Sequence, residues 1–161
     1  MSRLVSCQFI EMHRNVIFQG FTGSGKSWLA CCIGQETCNQ KYRTRYFWTP
    51  DLLTLYEEAF ISKSGVANLL KKWSGYDLLI LDEFLPNDLT QAEQLFLFEL
   101  IERRYDKSST IFCTQYRMKD WHTRIGRGVH TDAILDRIVH NVEVVYAGKL
   151  NIREVHAAKD F

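Results

Sequence analysis

Eight consecutive residues, Gly20-Phe21-Thr22-Gly23-Ser24-Gly25-Lys26-Ser27, constrain this chain more than any other stretch. They fit G-x-x-x-x-G-K-[ST], end a short β-prone run, Asn15-Val16-Ile17-Phe18-Gln19, and lead into an amphipathic pattern. Glycines let a backbone wrap closely around an anion so that successive N–H groups point inward. Lys26 adds a point charge for β- and γ-phosphates, and the Ser27 hydroxyl is a ligand for Mg²⁺. A helix opening near Lys26, with Trp28 in its first turn, turns its positive end to the same place. This order predicts an ATP site with Mg²⁺, built from residues 20–28. The competing reading, a glycine turn that binds nothing, is weakened by the strand before it and the helix after it.

Strand and helix alternate along the rest of the chain. Strand 15–19 leads through the loop into a helix near 26–39, where Leu29, Cys32, Ile33 and Glu36 have helical spacing. Strand 44–48 is β-branched and aromatic. Thr49-Pro50 then reads as an N-cap hydroxyl followed by proline at the first helical position. A Ser/Lys/Gly break at 62–65 separates that helix from a second near 66–73. Leu78-Leu79-Ile80-Leu81 is continuously apolar, as a central parallel strand covered on both faces must be. Thr90-Gln91-Ala92-Glu93 is a capping-box pattern for a helix to about residue 105. Strand 109–114, a polar stretch, a helix near 130–140 and a closing β-hairpin of 142–147 and 149–154, turning at Ala147-Gly148, complete the chain. The 161 residues, 46% of them apolar, suit one α/β domain (1–161) of three layers around a mainly parallel sheet. The five cysteines, Cys7, Cys31, Cys32, Cys38 and Cys113, form no metal-ligand motif, and packed thiols in a reducing cytoplasm are expected. Neither a signal peptide nor a membrane span is expected, since Arg3, Glu11 and Arg14 interrupt the first twenty residues.

Phosphate chemistry needs more than a cradle. The apolar strand ends in Asp82-Glu83. Asp82 is expected to complete the Mg²⁺ shell with Ser27, and Glu83 to orient and deprotonate the attacking water. Strand 109–114 ends in Thr114-Gln115, where a hydroxyl or an amide can touch both the γ-phosphate and that water. Further on, Arg137 has two readings: a guanidinium that stabilises γ-phosphate charge from the next subunit, or a structural partner of Asp136. His122, His130 and His140 lack metal-site spacing and read as surface or core histidines.

The phosphate loop, Leu78–Glu83, the strand ending in Thr114-Gln115 and the run Asp132-Ala133-Ile134-Leu135-Asp136-Arg137 together resemble the IstB-like ATPases. These are transposition helper proteins of bacterial insertion sequences, related to the DnaC helicase loaders within the AAA+ class. The resemblance runs from about Leu4 to Arg153, and its most particular pieces include Asp120-Trp121-His122 and Ala133-Ile134-Leu135-Asp136-Arg137-Ile138-Val139-His140-Asn141. It implies a AAA+ core that binds ATP and Mg²⁺, hydrolyses ATP, assembles into a homo-oligomeric ring or spiral, grips DNA and presents it to a transposase. By the same likeness Thr114 and Gln115 become a sensor of the γ-phosphate and Arg137 a finger acting in trans. The two-helix segment 50–73 looks like the insertion that initiator-type relatives use against nucleic acid. Phe21 replaces a proline common in the family's loop, Asp82-Glu83 stands where many members have two aspartates, and no family-type N-terminal helical domain or separate helical lid is expected.

With a net charge of +1, any nucleic-acid site must be local. Lys63, Lys71 and Lys72 border the two-helix segment, and Arg117, Lys119, Arg124 and Arg127 form a second cluster. Either can neutralise phosphates without reading sequence. A helicase loader, a small-molecule kinase with a phosphate loop and a non-hydrolysing binding module are the alternatives.

Overall fold

The computed structural model describes residues 2–62, 65–85 and 87–148. Along them run α1 (Ser2–Val5), α2 (Gln8–Glu11), β1 (Asn15–Gln19), α3 (Lys26–Asn39), β2 (Thr44–Trp48), α4 (Thr49–Ile61) and α5 (Gly65–Ser74). Then follow β3 (Leu78–Asp82), α6 (Gln91–Arg104), β4 (Ser109–Thr114), α7 (Met118–Ile125), α8 (Val129–Val139) and β5 (Val142–Tyr146). The strands form one sheet in the order β2-β3-β4-β1-β5, and every neighbouring pair is parallel. Parallel pairing aligns the C-terminal ends of all the strands along one edge. That edge carries the loops after β1, β3 and β4.

Alternation along the buried strands creates two cores. Val16, Phe18, Leu78, Ile80, Ile111 and Cys113 pack with Ala30 and Ile33 of α3 and with Leu4, Phe9 and Ile10 of α1 and α2. Their sequence neighbours Ile17, Leu79, Leu81 and Phe112 pack on the other side, with residues of α4 to α8 such as Leu52, Trp73, Phe96, Trp121 and Ile134. Successive side chains of a strand point to opposite faces, so strands covered on both faces must be apolar throughout. β3 and β4 are buried from first residue to last.

The expected α/β architecture is present, and the differences have local causes. The polar stretch after β4 contains α7, because Trp121 and Ile125, four residues apart, are both fully buried while Lys119, Asp120, His122 and Thr123 are exposed. Trp121 packs on Phe84 and Phe112 at ring separations of 5.1 and 5.9 Å. Residues 142–146 form a strand that pairs in parallel with β1, and the other arm of the expected hairpin, 149–154, lies outside the described residues. Thr49 does not cap α4: its hydroxyl donates to the Asp82 carbonyl at 2.6 Å, which ties α4 to the end of β3. At α6 the capping box of Thr90 and Glu93 is complete. Cys7 and Cys113 are packed, whereas Cys31 and Cys38 are exposed free thiols.

Arg104 closes the opposite end of the sheet. It is 3% exposed, yet its guanidinium donates to Trp73 O (3.1 Å), Tyr76 O (2.7 Å), Ser109 O (2.5 Å) and Thr110 Oγ1 (3.1 Å). Trp73 belongs to the last turn of α5, whose carbonyls have no partner within the helix, so the cation also meets the negative helix end. Burial pushes the guanidinium down to about 9, which leaves it charged at neutral pH. Replacement by methionine keeps bulk and removes every donor. Arg104→Met should lose about 3 kcal/mol, a fall of roughly 6–12 °C in Tm, by the cost of leaving buried carbonyls unpaired. A melt within about 2 °C of the parent would show that the clamp contributes little.

Candidate nucleotide-binding and hydrolysis site

The loop between β1 and α3 is folded as a cradle. Gly23 and Gly25 have φ of 81° and 91°, left-handed conformations that strain other residues. A Cβ on Gly20 would lie 2.8 Å from both Ala147 Cβ and Ser24 Oγ, so the first glycine lets the end of β5 close against the loop. Lys26, 8% exposed, reaches back over the cradle and donates from Nζ to the carbonyls of Gly20 and Phe21 at 2.8 Å each. Ser24 is buried and Ser27 half-buried, while Phe21 and Trp28 are 64% and 72% exposed at the rim. Thr22 Oγ1 donates to Gln115 Oε1 at 3.2 Å, which joins the loop to the end of β4.

Asp82 is 4% exposed and held at several atoms. Its Oδ1 accepts from the Glu83 amide at 2.9 Å and its Oδ2 from the Tyr46 hydroxyl at 2.6 Å. Burial, and then the bond to Asp82, push the Tyr46 phenol up, so it stays a donor. Burial above all drives the Cys113 thiol up as well, so this neighbour stays protonated. Glu83 is half-buried with φ 49°, a conformation costing about 1–3 kcal/mol that clusters at functional sites. Thr114 and Gln115 separate in role. The Thr114 hydroxyl, 2% exposed, donates to Phe84 O and accepts from the Tyr116 amide, each at 3.1 Å, while Gln115 touches the phosphate loop. Among the described residues no group of three or more histidine, cysteine or acidic side chains gathers as a metal cage. One hydroxyl and one carboxylate, Ser27 and Asp82, suit Mg²⁺, which keeps several of its waters.

Arg137 lies elsewhere. Its Nε donates to Glu102 at 2.7 Å, not to Asp136, and its guanidinium stands 5.0 Å from the Tyr105 ring centre. The Glu102 bond holds it in the charged form more firmly still. It lines a cleft with Asn15 at the start of β1 and Thr110 near the start of β4, whereas the phosphate loop follows the end of β1. A five-residue strand puts about 13 Å between those ends. Of the basic residues, Lys71 and Lys72 are exposed on the last turn of α5, and Arg117 and Lys119 are exposed at the start of α7. Arg124 instead donates to Leu85 O at 2.7 Å and stacks 3.6 Å over the Tyr116 ring. Lys63 lies outside the described residues. His122, His130 and His140 are all exposed, His122 paired with Asp132 at 3.0 Å. Sequence reasoning missed Tyr46 and Thr49 at Asp82, because β2-to-β3 register carries no sequence signal of its own.

Residues 1–159 match the protein family described as IstB-like ATP binding protein. A Sinorhizobium fredii insertion-sequence protein named as ATP-binding is 36% identical over 138 residues, which are 86% of this chain and 55% of that protein. The chain spans about half the length of the curated relatives it matches. The DnaC helicase loader superposes with a TM-score of 0.75 at 19% identity, over 91% of this chain and 88% of that one. Replication initiator DnaA, solved with AMPPCP and single-stranded DNA, gives 0.75 at 19% identity, over 98% of this chain and 48% of that one. These two structural likenesses carry the fold alone, a five-stranded parallel sheet packed with helices. No helix among the described residues is long and apolar enough to cross a membrane.

Lys26 gives the most direct test of the cradle. Lys26→Ala removes charge-assisted bonds worth about 1.5–3 kcal/mol, so ATP should bind roughly 10- to 150-fold more weakly. Unchanged affinity in a fluorescent-ATP titration of a folded variant would move the nucleotide away from residues 20–28.

Proposed function

This chain belongs to the IstB-like ATP binding protein family, and from that premise we propose that it is an Mg²⁺-dependent ATPase that assembles on DNA and assists a transposase. One observation carries the reading. The loop after β1 touches Gln115 at the end of β4, and Asp82 and Glu83 end the adjacent β3, so cradle, metal carboxylate, base and sensor share one edge. Lys26 and the loop amides bind the phosphates, and Gln115 reads the γ-phosphate. Thr114 supports it by fixing the Phe84 carbonyl in the loop after Glu83. Glu83 takes a proton from the attacking water, whose hydroxide adds to the γ-phosphorus as the bond to the β-phosphate oxygen breaks. Ser27 and Asp82 would hold Mg²⁺, whose charge would offset that of the phosphates.

Arg137 lines a cleft at the start of β1, away from its own phosphate loop, and on this reading it serves the γ-phosphate of a second copy in a homo-oligomer. Exposed Lys71, Lys72, Arg117 and Lys119 neutralise DNA phosphates without base readout, and assembly multiplies these weak contacts along the duplex. The insertion-sequence names of the curated relatives favour a transposition helper over a helicase loader.

Two variants test the mechanism together. Glu83→Gln should still bind ATP while turnover falls about 10²–10⁴-fold, the usual loss for a general base. Arg137→Ala should also be slow, and mixing it with Glu83→Gln in the presence of DNA should restore part of the activity. Light scattering of each protein with ATP and DNA establishes assembly first. Full turnover by Glu83→Gln moves the base elsewhere, and assembled mixtures that stay inactive remove Arg137 from the site.

A further inference from the structure

Tyr46 stands on β2, the edge strand, opposite Ile80 and two residues short of Asp82. Phe47 packs into the core of α4 to α8, so its neighbour Tyr46 projects to the other face, the face of α3 and of Ile80. Asp82 follows Ile80 by two and shares that face. The phenol is long enough to lie along the strand and meet the carboxylate at 2.6 Å. Tyr46 is 41% exposed as a residue, while its hydroxyl is turned to Asp82 and bonds to a carboxylate, a stronger acceptor than a neutral group.

Resting on the reading of Asp82 as the magnesium carboxylate, we propose that Tyr46 is a positioning residue that sets the orientation of Asp82 and thereby the metal affinity of the site. Three donors fix Asp82: the Glu83 amide at Oδ1, Tyr46 at Oδ2, and the Thr49 hydroxyl at the backbone carbonyl, 2.6 Å away. All three are neutral, so the carboxylate is aligned without loss of its charge. Each carboxylate oxygen retains a further lone pair for a metal or its bound water. Outer partners of metal ligands act in this way, and their removal weakens metal binding about 10–100-fold. The amide donor cannot be lost by side-chain substitution, and Thr49 acts on the main chain. The phenol is therefore the adjustable contact on the carboxylate itself.

Mn²⁺, visible by electron paramagnetic resonance, tests this on the full chain bound to a non-hydrolysable ATP analogue. Tyr46→Phe should bind Mn²⁺ about tenfold more weakly, with analogue affinity in EDTA unchanged. Asp82→Asn should weaken Mn²⁺ further, and adding Tyr46→Phe to it should change nothing more, because the tyrosine acts through the aspartate. If Asp82→Asn binds Mn²⁺ normally, Asp82 is not the metal carboxylate and the underlying reading falls. If only Asp82→Asn is affected, or Tyr46→Phe is additive to it, the positioning role is wrong while the metal site stands. A fall in Tm for Tyr46→Phe with unchanged Mn²⁺ affinity makes Tyr46 structural and overturns the inference.

Discussion

Side-chain alternation in buried parallel strands governs which groups can meet at this site. β3 and β4 are covered on both faces, so each residue is committed to one layer by its parity. Leu78, Ile80 and Asp82 share the α3 face, and with them Tyr46 across the β2 pairing. On β4, Phe112 and Thr114 share the opposite face, and the Thr114 hydroxyl accordingly meets Phe84 O. Only after the strand ends, at Gln115, does the chain escape the alternation and reach Thr22 of the phosphate loop. A one-residue slip of β4 would exchange these roles, because it turns every side chain to the opposite face.

Two buried cations show how one interaction serves opposite ends. Lys26 and Arg104 both donate to backbone carbonyls, the first at the C-terminal edge of the sheet and the second at the N-terminal edge. Arg104 is enclosed by two chain segments and spreads its planar fork over four acceptors, so no competitor can displace it. Lys26 has a flexible stem and lies over a glycine loop. On the proposed reading phosphate oxygens compete for the same ammonium, and an anion is a better acceptor than a neutral carbonyl. The carbonyl bonds keep the charge aimed at the cradle at modest cost. Glu83 and Leu85, just after β3 at the C-terminal edge, both have positive φ.

Much of this was legible in the sequence. The phosphate loop, Asp82-Glu83, the strand runs and the capping box at Thr90 are local patterns, and local patterns fix local geometry. What escaped depends on long-range contact. The helix α7 hides in a charged stretch because Trp121 and Ile125 reveal themselves only against Phe84 and Phe112. Residues 142–146 read as a strand by composition, but their parallel place beside β1 is set by the fold alone. Thr49 reads as a cap by its position before proline, yet the nearest strong acceptor for its hydroxyl is the carbonyl at the end of β3. Arg104 looks like any arginine in a helical last turn, and its burial follows from the convergence of α5, α6 and β4.

The two ends of the sheet also divide the proposed chemistry. Everything that touches phosphate or metal follows the C-terminal ends of β1, β3 and β4, while Arg137 is anchored by Glu102 beside the N-terminal ends. A rigid sheet of five-residue strands cannot fold back to join them, since about 13 Å of hydrogen-bonded backbone lies between. The Glu102 and Tyr105 contacts hold the guanidinium charged and oriented at the surface without burying it. A cation arranged in that way is ready for an anion presented from outside. On the proposed mechanism one copy therefore binds nucleotide with its own residues and stabilises charge on the nucleotide of the next. On that mechanism hydrolysis would depend on assembly because of where the strands begin and end.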